Sequence, residues 1–133
     1  TNGSKPDFLR HLVSTGLVDR VAMDIKNSPD AYGMTVGIPG FNITAVEKSK
    51  NYLLTSPVEY EFRTTVVKGL HTKTSLCDAA RWITGAKAWY VQCYQERDTV
   101  LSPQGLSSYT AEELYSLLQA VHPYIPTAAL RGI

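Results

Sequence analysis

Three runs of alternating apolar and polar residues, separated by helix-type stripes, limit this chain to architectures built from strands joined by helical crossovers. Val21 to Lys26 (VAMDIK), Val58 to Val67 and Ala88 to Gln95 read as strands. Pro6 suits the first position of a helix in which Phe8, Leu9, Leu12 and Val13 share a face, and Gly16 stops it before a strand beginning near Val18. Ser28-Pro29-Asp30 reads as the cap and first turn of a short helix, and Gly33, Gly37, Pro39 and Gly40 make the remainder a loop. Thr44 and Glu47 have capping-box spacing for a helix reaching about Leu54. Thr74 reads as the cap of a helix with Leu76, Ala79, Ala80 and Ile83 on one side. After a polar loop through Pro103 and Gly105, Thr110 and Glu113 form a second box ahead of Leu114, Leu117, Leu118 and Val121, and Thr127 to Arg131 supplies a short last strand. Strands alternating with helices in this way predict a parallel sheet.

The strand periodicity also assigns faces. Val21, Met23 and Ile25 point one way; Asp24 and Lys26 point the other. In the second strand Val58, Tyr60, Phe62 and Val66 oppose Glu59, Glu61 and Arg63. In the third, Trp89, Val91 and Cys93 oppose Tyr90, Gln92 and Tyr94. The ionic face either meets water or lines the hollow of a partial barrel; the regular helices favour the hollow, with Arg63 on the surface that carries Asp24 and Lys26. An ordinary surface ion pair is the plainer reading of Asp24 and Lys26 alone.

A chain of 133 residues supports one domain, and three or four parallel strands do not close a barrel of about eight. Its edges would have to pair with a second copy or with a missing half. The formal charge of +1 and the lack of a basic cluster argue against nucleic acid or an anionic membrane as a partner. No apolar run approaches the roughly 20 residues of a membrane span, so a cytoplasmic location is the default expectation. Cys77 and Cys93, 16 positions apart, read as reduced, buried thiols; alone they cannot ligate a zinc ion or an iron-sulfur cluster. His11, His71 and His122 are scattered and read as loop or helix-surface residues, while Tyr60, Trp82, Trp89 and Tyr90 read as packing aromatics.

Taken in order, the opening TNG, VDRVAMDIK, EFRTTVVKGLH and the closing ALRGI resemble the C-terminal half of radical S-adenosylmethionine proteins. The similarity is greatest to the glycyl-radical-enzyme activating proteins, the activators of anaerobic ribonucleoside-triphosphate reductase and of pyruvate formate-lyase. The resemblance implies an α/β fold: a partial (β/α) TIM-like barrel, of which residues 1–133 form roughly the second half of a core of about six parallel strands. TNG would mark the exit of the third strand, so the start at Thr1 reads as the middle of a larger protein. The family's CxxxCxxC loop, which holds a 4Fe-4S cluster, is missing here, as is its glycine-rich segment for the cofactor's amino group.

For the parent, the resemblance implies an oxidoreductase that uses S-adenosylmethionine and the 4Fe-4S cluster to place a radical on a glycine of a partner, such as anaerobic ribonucleotide reductase or pyruvate formate-lyase. This chain alone is expected to bind no cluster and to be inactive. By resemblance, Thr1 and Asn2 border the cofactor, and Thr1, the carbonyl of Ala22 and Asp24 form a monovalent cation site. Lys26 would meet the cofactor carboxylate, and Arg63 would add polar contacts. Gln95 falls where relatives have a histidine near the adenosine, whereas the alternation points to Gln92 as the residue facing the hollow. Two other readings remain open. One is an aldolase-like half barrel with Lys26 as a Schiff-base amine, opposed by the neighbouring carboxylate, which favours the charged lysine. The other is a non-enzymatic interaction module, or a homodimer through exposed sheet edges.

Overall fold

The computed structural model describes residues 1–94 and 107–131. Helix α1 (Pro6–Ser14), strand β1 (Arg20–Asp24), helices α2 (Tyr32–Val36) and α3 (Thr44–Thr55), strand β2 (Glu59–Val66), helix α4 (Lys73–Trp82), strand β3 (Trp89–Cys93), helix α5 (Ala111–Val121) and strand β4 (Ala128–Arg131) follow in order. The strands form one sheet in the order β1-β2-β3-β4, and every neighbouring pair is parallel. This is the arrangement of a partial β/α barrel.

Burial shows why the sheet has two unlike faces. Val21, Met23, Tyr60, Phe62, Val66, Trp89, Val91 and Ala128 share one core with Leu9, Val46, Leu53, Leu76, Leu114, Leu117 and Val121, which come from α1, α3, α4 and α5. These four helices therefore pack against the same side of the sheet. The other side carries Asp24, Arg63, Tyr90, Gln92 and Arg131, which pair in register as Asp24 with Arg63, Arg63 with Tyr90, and Gln92 with Arg131. A doubly wound sheet would have helices on both sides; among the described residues the polar alternation of the strands is matched by one face without helices.

Several local expectations shift. The first strand begins at Arg20 rather than near Val18 and ends at Asp24, two residues before Lys26. Ser28 to Asp30 precede the short helix as a turn, with the Ser28 hydroxyl accepting from the Ala31 N–H, and the helix itself starts at Tyr32 and includes Gly33. Thr44 is the first residue of α3, not its cap: Ile43 holds the cap position and Asn42 Oδ1 accepts the Thr44 N–H at 2.9 Å. In α4 the cap is Thr72 instead of Thr74, because Ser75 stands at the third helical position and closes a reciprocal box with it. The Thr110–Glu113 box forms as expected. Phe8 lies 58% exposed, off the buried side of α1 that Leu9 occupies. Cys77 and Cys93 are free thiols, half-buried rather than fully buried. The loop through Pro103 and Gly105 lies outside the described residues.

The opening TNG turn is locked to the sheet by physical constraints that its composition reflects. The Thr1 nitrogen donates to the Ala22 carbonyl at 2.6 Å and the Asp24 N–H donates to the Thr1 carbonyl at 2.8 Å, so Thr1 lies along the outer edge of β1 in the parallel pattern. Asn2 Oδ1 accepts the Ser4 N–H, and Ser49 of α3 donates to the Gly3 carbonyl at 2.8 Å. Gly3 has φ 77°, and a β-carbon there would lie 2.3 Å from Cε of Met23. Replacing Gly3 by Ala is therefore expected to cost about 1–3 kcal/mol of stability, read as a lower urea midpoint at unchanged slope; an unchanged midpoint would contradict this account of the turn.

Candidate functional site

The carboxyl ends of β1 and β2 open into a cleft of about 200 Å³ lined by Asp24, Lys26, Thr35, Arg63, Thr65 and His71, among others. The alternation of β1 and its parallel register with β2 put Asp24 beside Arg63 on the face without helices. Lys26 Nζ lies 3.2 Å from Asp24 Oδ2, and both side chains are nearly half exposed. The three charged residues singled out by the sequence thus meet in one place. Its mixture of one acid and two bases suits a ligand that carries both signs of charge, such as the ammonium and carboxylate of an amino acid.

The strand ends that form this cleft are held from below. The Thr64 hydroxyl donates to the Ile25 carbonyl at 2.7 Å and accepts the Trp89 indole N–H at 2.9 Å. Asn27, fully buried, donates to the Leu70 carbonyl and to the Thr35 hydroxyl, both at 2.9 Å. Such bonds fix the backbone that follows β1, and so the stem of Lys26.

Other expected site residues fall nearby. Gln92 lies on the uncovered face, in register with Thr65 and Arg131. Thr1 is drawn alongside Ala22 and Asp24 by backbone hydrogen bonds, but the Ala22 carbonyl accepts the Thr1 nitrogen and the Thr1 hydroxyl accepts the Gly3 N–H at 3.1 Å. Asn2 is spent in the turn, on the Ser4 N–H. Gln95 lies outside the described residues. Among the described residues no group of three or more His, Cys, Asp or Glu is arranged to hold a metal ion.

The surroundings of two nearby residues escape the sequence reading. Glu61 is only 3% exposed, although it sits on the uncovered face. Its Oε1 accepts from Arg20 at 2.8 Å, while its Oε2 accepts from Arg63 Nε at 2.8 Å and from Arg131 at 2.9 Å. Burial pushes this carboxyl up, but the three arginine N–H groups outweigh it and hold it down at about 2. The Arg131 guanidinium lies 3.7 Å from the centre of the Tyr90 ring, so Tyr90 supports an arginine on the open face instead of packing in the core. The ionic spacing of β2 hinted at Glu61 and Arg63, yet its other two partners, Arg20 and Arg131, lie 41 and 70 residues away and gave no local signal.

His71 is the second. It is 1% exposed, not on a loop surface, and its Nδ1 accepts the Val67 N–H at 3.1 Å. Its Nε2 therefore carries the hydrogen and donates to the Lys26 carbonyl at 2.7 Å. The Tyr109 hydroxyl donates to the His71 carbonyl. His122 is likewise engaged, with Nε2 2.9 Å from the Ala128 carbonyl. Burial lowers the His71 pKa, its backbone partners opposing this only partly. The native state then binds fewer protons than the unfolded chain, so this contribution to stability is complete above about pH 6.5 and falls as the pH drops below it. Nitrogen NMR is expected to show hydrogen on Nε2 of the neutral His71 ring and a second proton taken up only at lower pH than by a free imidazole; a ring that protonates as readily as a free imidazole would contradict the buried geometry.

No protein-family model matches the sequence, and no curated protein matches it. Among solved structures, the chain is similar to a domain of pyruvate-formate lyase-activating enzyme from Bacteroides vulgatus ATCC 8482, with a TM-score of 0.74. The two are 10% identical, and the similarity covers 97% of this chain and 76% of that one. At that identity the likeness is one of fold: nearly the whole chain adopts the architecture of that activating-enzyme domain.

Proposed function

We propose that this chain is the C-terminal part of a radical S-adenosylmethionine activating enzyme and that it grips the amino-acid end of S-adenosylmethionine. The observation that carries the reading is the meeting of Asp24, Lys26 and Arg63 in one cleft at the strand ends, in a chain with the fold of an activating-enzyme domain. Lys26 and Arg63 would hold the ligand's carboxylate by charge-assisted hydrogen bonds, and Asp24 would face its ammonium group or a monovalent cation shared with Thr1 and the Ala22 carbonyl. Thr65, on the rim of the cleft, adds a hydroxyl, and Gln92 and Gln95 are candidates for contacts farther out.

The cleft's size agrees with a partial role. About 200 Å³ is below the roughly 300–1,000 Å³ typical of a site that encloses a whole cofactor, so the adenosine end must be covered by other residues. In the enzymes it resembles, S-adenosylmethionine and a 4Fe-4S cluster together supply the radical that takes a hydrogen atom from a glycine of a glycyl radical enzyme. The cluster does not fit this chain's own donors, because Cys77 and Cys93 are its two cysteines and no CxxxCxxC loop is present. What the 133 residues contribute is binding and orientation: a fixed lysine stem, an anchored guanidinium and a carboxylate at a strand end.

Calorimetric titration of the 133-residue chain with S-adenosylmethionine tests this. Weak binding is expected, and Lys26→Ala should weaken it about tenfold, the value of one charge-assisted hydrogen bond. Decarboxylated S-adenosylmethionine, which loses the contacts with both Lys26 and Arg63, should bind the wild-type chain more weakly than the complete ligand binds Lys26→Ala. Equal affinity of both ligands for the wild-type chain would defeat the reading.

A further inference from the structure

Arg63 belongs to two surroundings at once. It lines the cleft with Asp24 and Lys26, and it reaches back along its own strand to Glu61, which does not line the cleft. The contact with Glu61 is made through Nε. A guanidinium carries five N–H donors in a rigid plane, so anchoring Nε fixes that plane while leaving the four terminal N–H groups for other partners. Glu61 is itself unable to move far: it is 3% exposed, and both its oxygens are taken by arginines from three different strands, Arg20 of β1, Arg63 of β2 and Arg131 of β4.

The charges add a second argument. One guanidinium would neutralise one carboxylate, yet three surround Glu61; Glu59, 3.9 Å from Arg20, offsets one of them, and the Asp24–Lys26 pair beside them adds no net charge. Among the described residues the face therefore keeps a surplus of one positive charge, with the arginine side chains 38% to 56% exposed. Holding like charges together is unfavourable unless something else balances them. A ligand that brings a carboxylate to Arg63 would supply part of that balance.

We propose that Glu61 is the positioning residue of the cleft: it holds Arg63 by Nε so that the terminal guanidinium N–H groups are presented, in a fixed plane, to a carboxylate bound beside Lys26. Arg20 and Arg131 keep Glu61 ionised and immobile so that it can do this. The second half of this statement, the bound carboxylate, rests on the reading of the cleft as an S-adenosylmethionine site; the first half does not.

The test has two arms. In the absence of ligand, the Arg63 Nε–H proton of the wild-type chain should exchange slowly with water, and Glu61→Gln should bring its exchange to that of a free arginine. With ligand, Glu61→Gln should weaken S-adenosylmethionine about fivefold while leaving the decarboxylated analogue unaffected. A merely structural role would weaken both ligands alike, and that result, or an Arg63 proton unchanged by Glu61→Gln, would overturn the proposal. Loss of the slow exchange together with no binding of S-adenosylmethionine to the wild-type chain would support the anchoring and reject the cofactor reading. Should Glu61→Gln fail to fold, Glu61→Asp keeps the charge but falls one methylene short, and the same loss of slow exchange is expected.

Discussion

A carboxylate withdrawn from water on an otherwise open sheet face has to be matched by several donors, and Glu61 is matched by three guanidinium groups. This ion cluster ties β1, β2 and β4 together on the side that none of the described helices covers, where apolar packing does not do so. With its pKa held at about 2, the folded state binds fewer protons than the unfolded chain. The resulting stabilisation, about 3 kcal/mol from the shift, is present above the ordinary carboxylate range and is lost as the pH falls through about 2. An apolar face of similar volume would be about as stable, since buried ion pairs return little more than their desolvation cost. An apolar face would offer nothing to a charged ligand.

The architecture follows from the asymmetry between the faces. Helices α1, α3, α4 and α5 all bury against Met23, Phe62, Trp89 and their neighbours, which leaves the alternate strand positions to polar chemistry. At the carboxyl ends, backbone carbonyls that would otherwise lose partners are taken by side chains: Ile25 by Thr64, Lys26 by His71, Leu70 by Asn27. Each bond holds a piece of the rim, so the cleft's shape is set before any ligand arrives. That is the condition for charge-assisted contacts to be worth more than they would be on a mobile surface.

Much of the fold could be read from local pattern. The parallel β/α order, the apolar faces of all three long strands and the Thr110–Glu113 cap depend on neighbours a few residues apart, and they appear as expected. The cap of α4 moved from Thr74 to Thr72 because the deciding partner was the hydroxyl of Ser75, which a search for Glu or Gln passes over. The convergence of Asp24, Lys26 and Arg63 was legible because register between adjacent parallel strands converts spacing into proximity. The burial of Glu61 was not, because it comes from side chains reaching across the sheet from Arg20 and Arg131. His71 was hidden for a similar reason: a histidine after a glycine turn looks exposed until the loop folds back and its ring bridges the ends of two strands.

The account rests on that buried carboxylate and its three arginines, and carbon NMR of the Glu61 side-chain carboxyl as a function of pH measures it directly. The structure predicts a carboxyl that stays ionised until the pH approaches about 2. A carboxyl that titrates at about 4, as an unpaired glutamate does, would mean that the cluster does not exist in solution, and the anchored Arg63 would go with it.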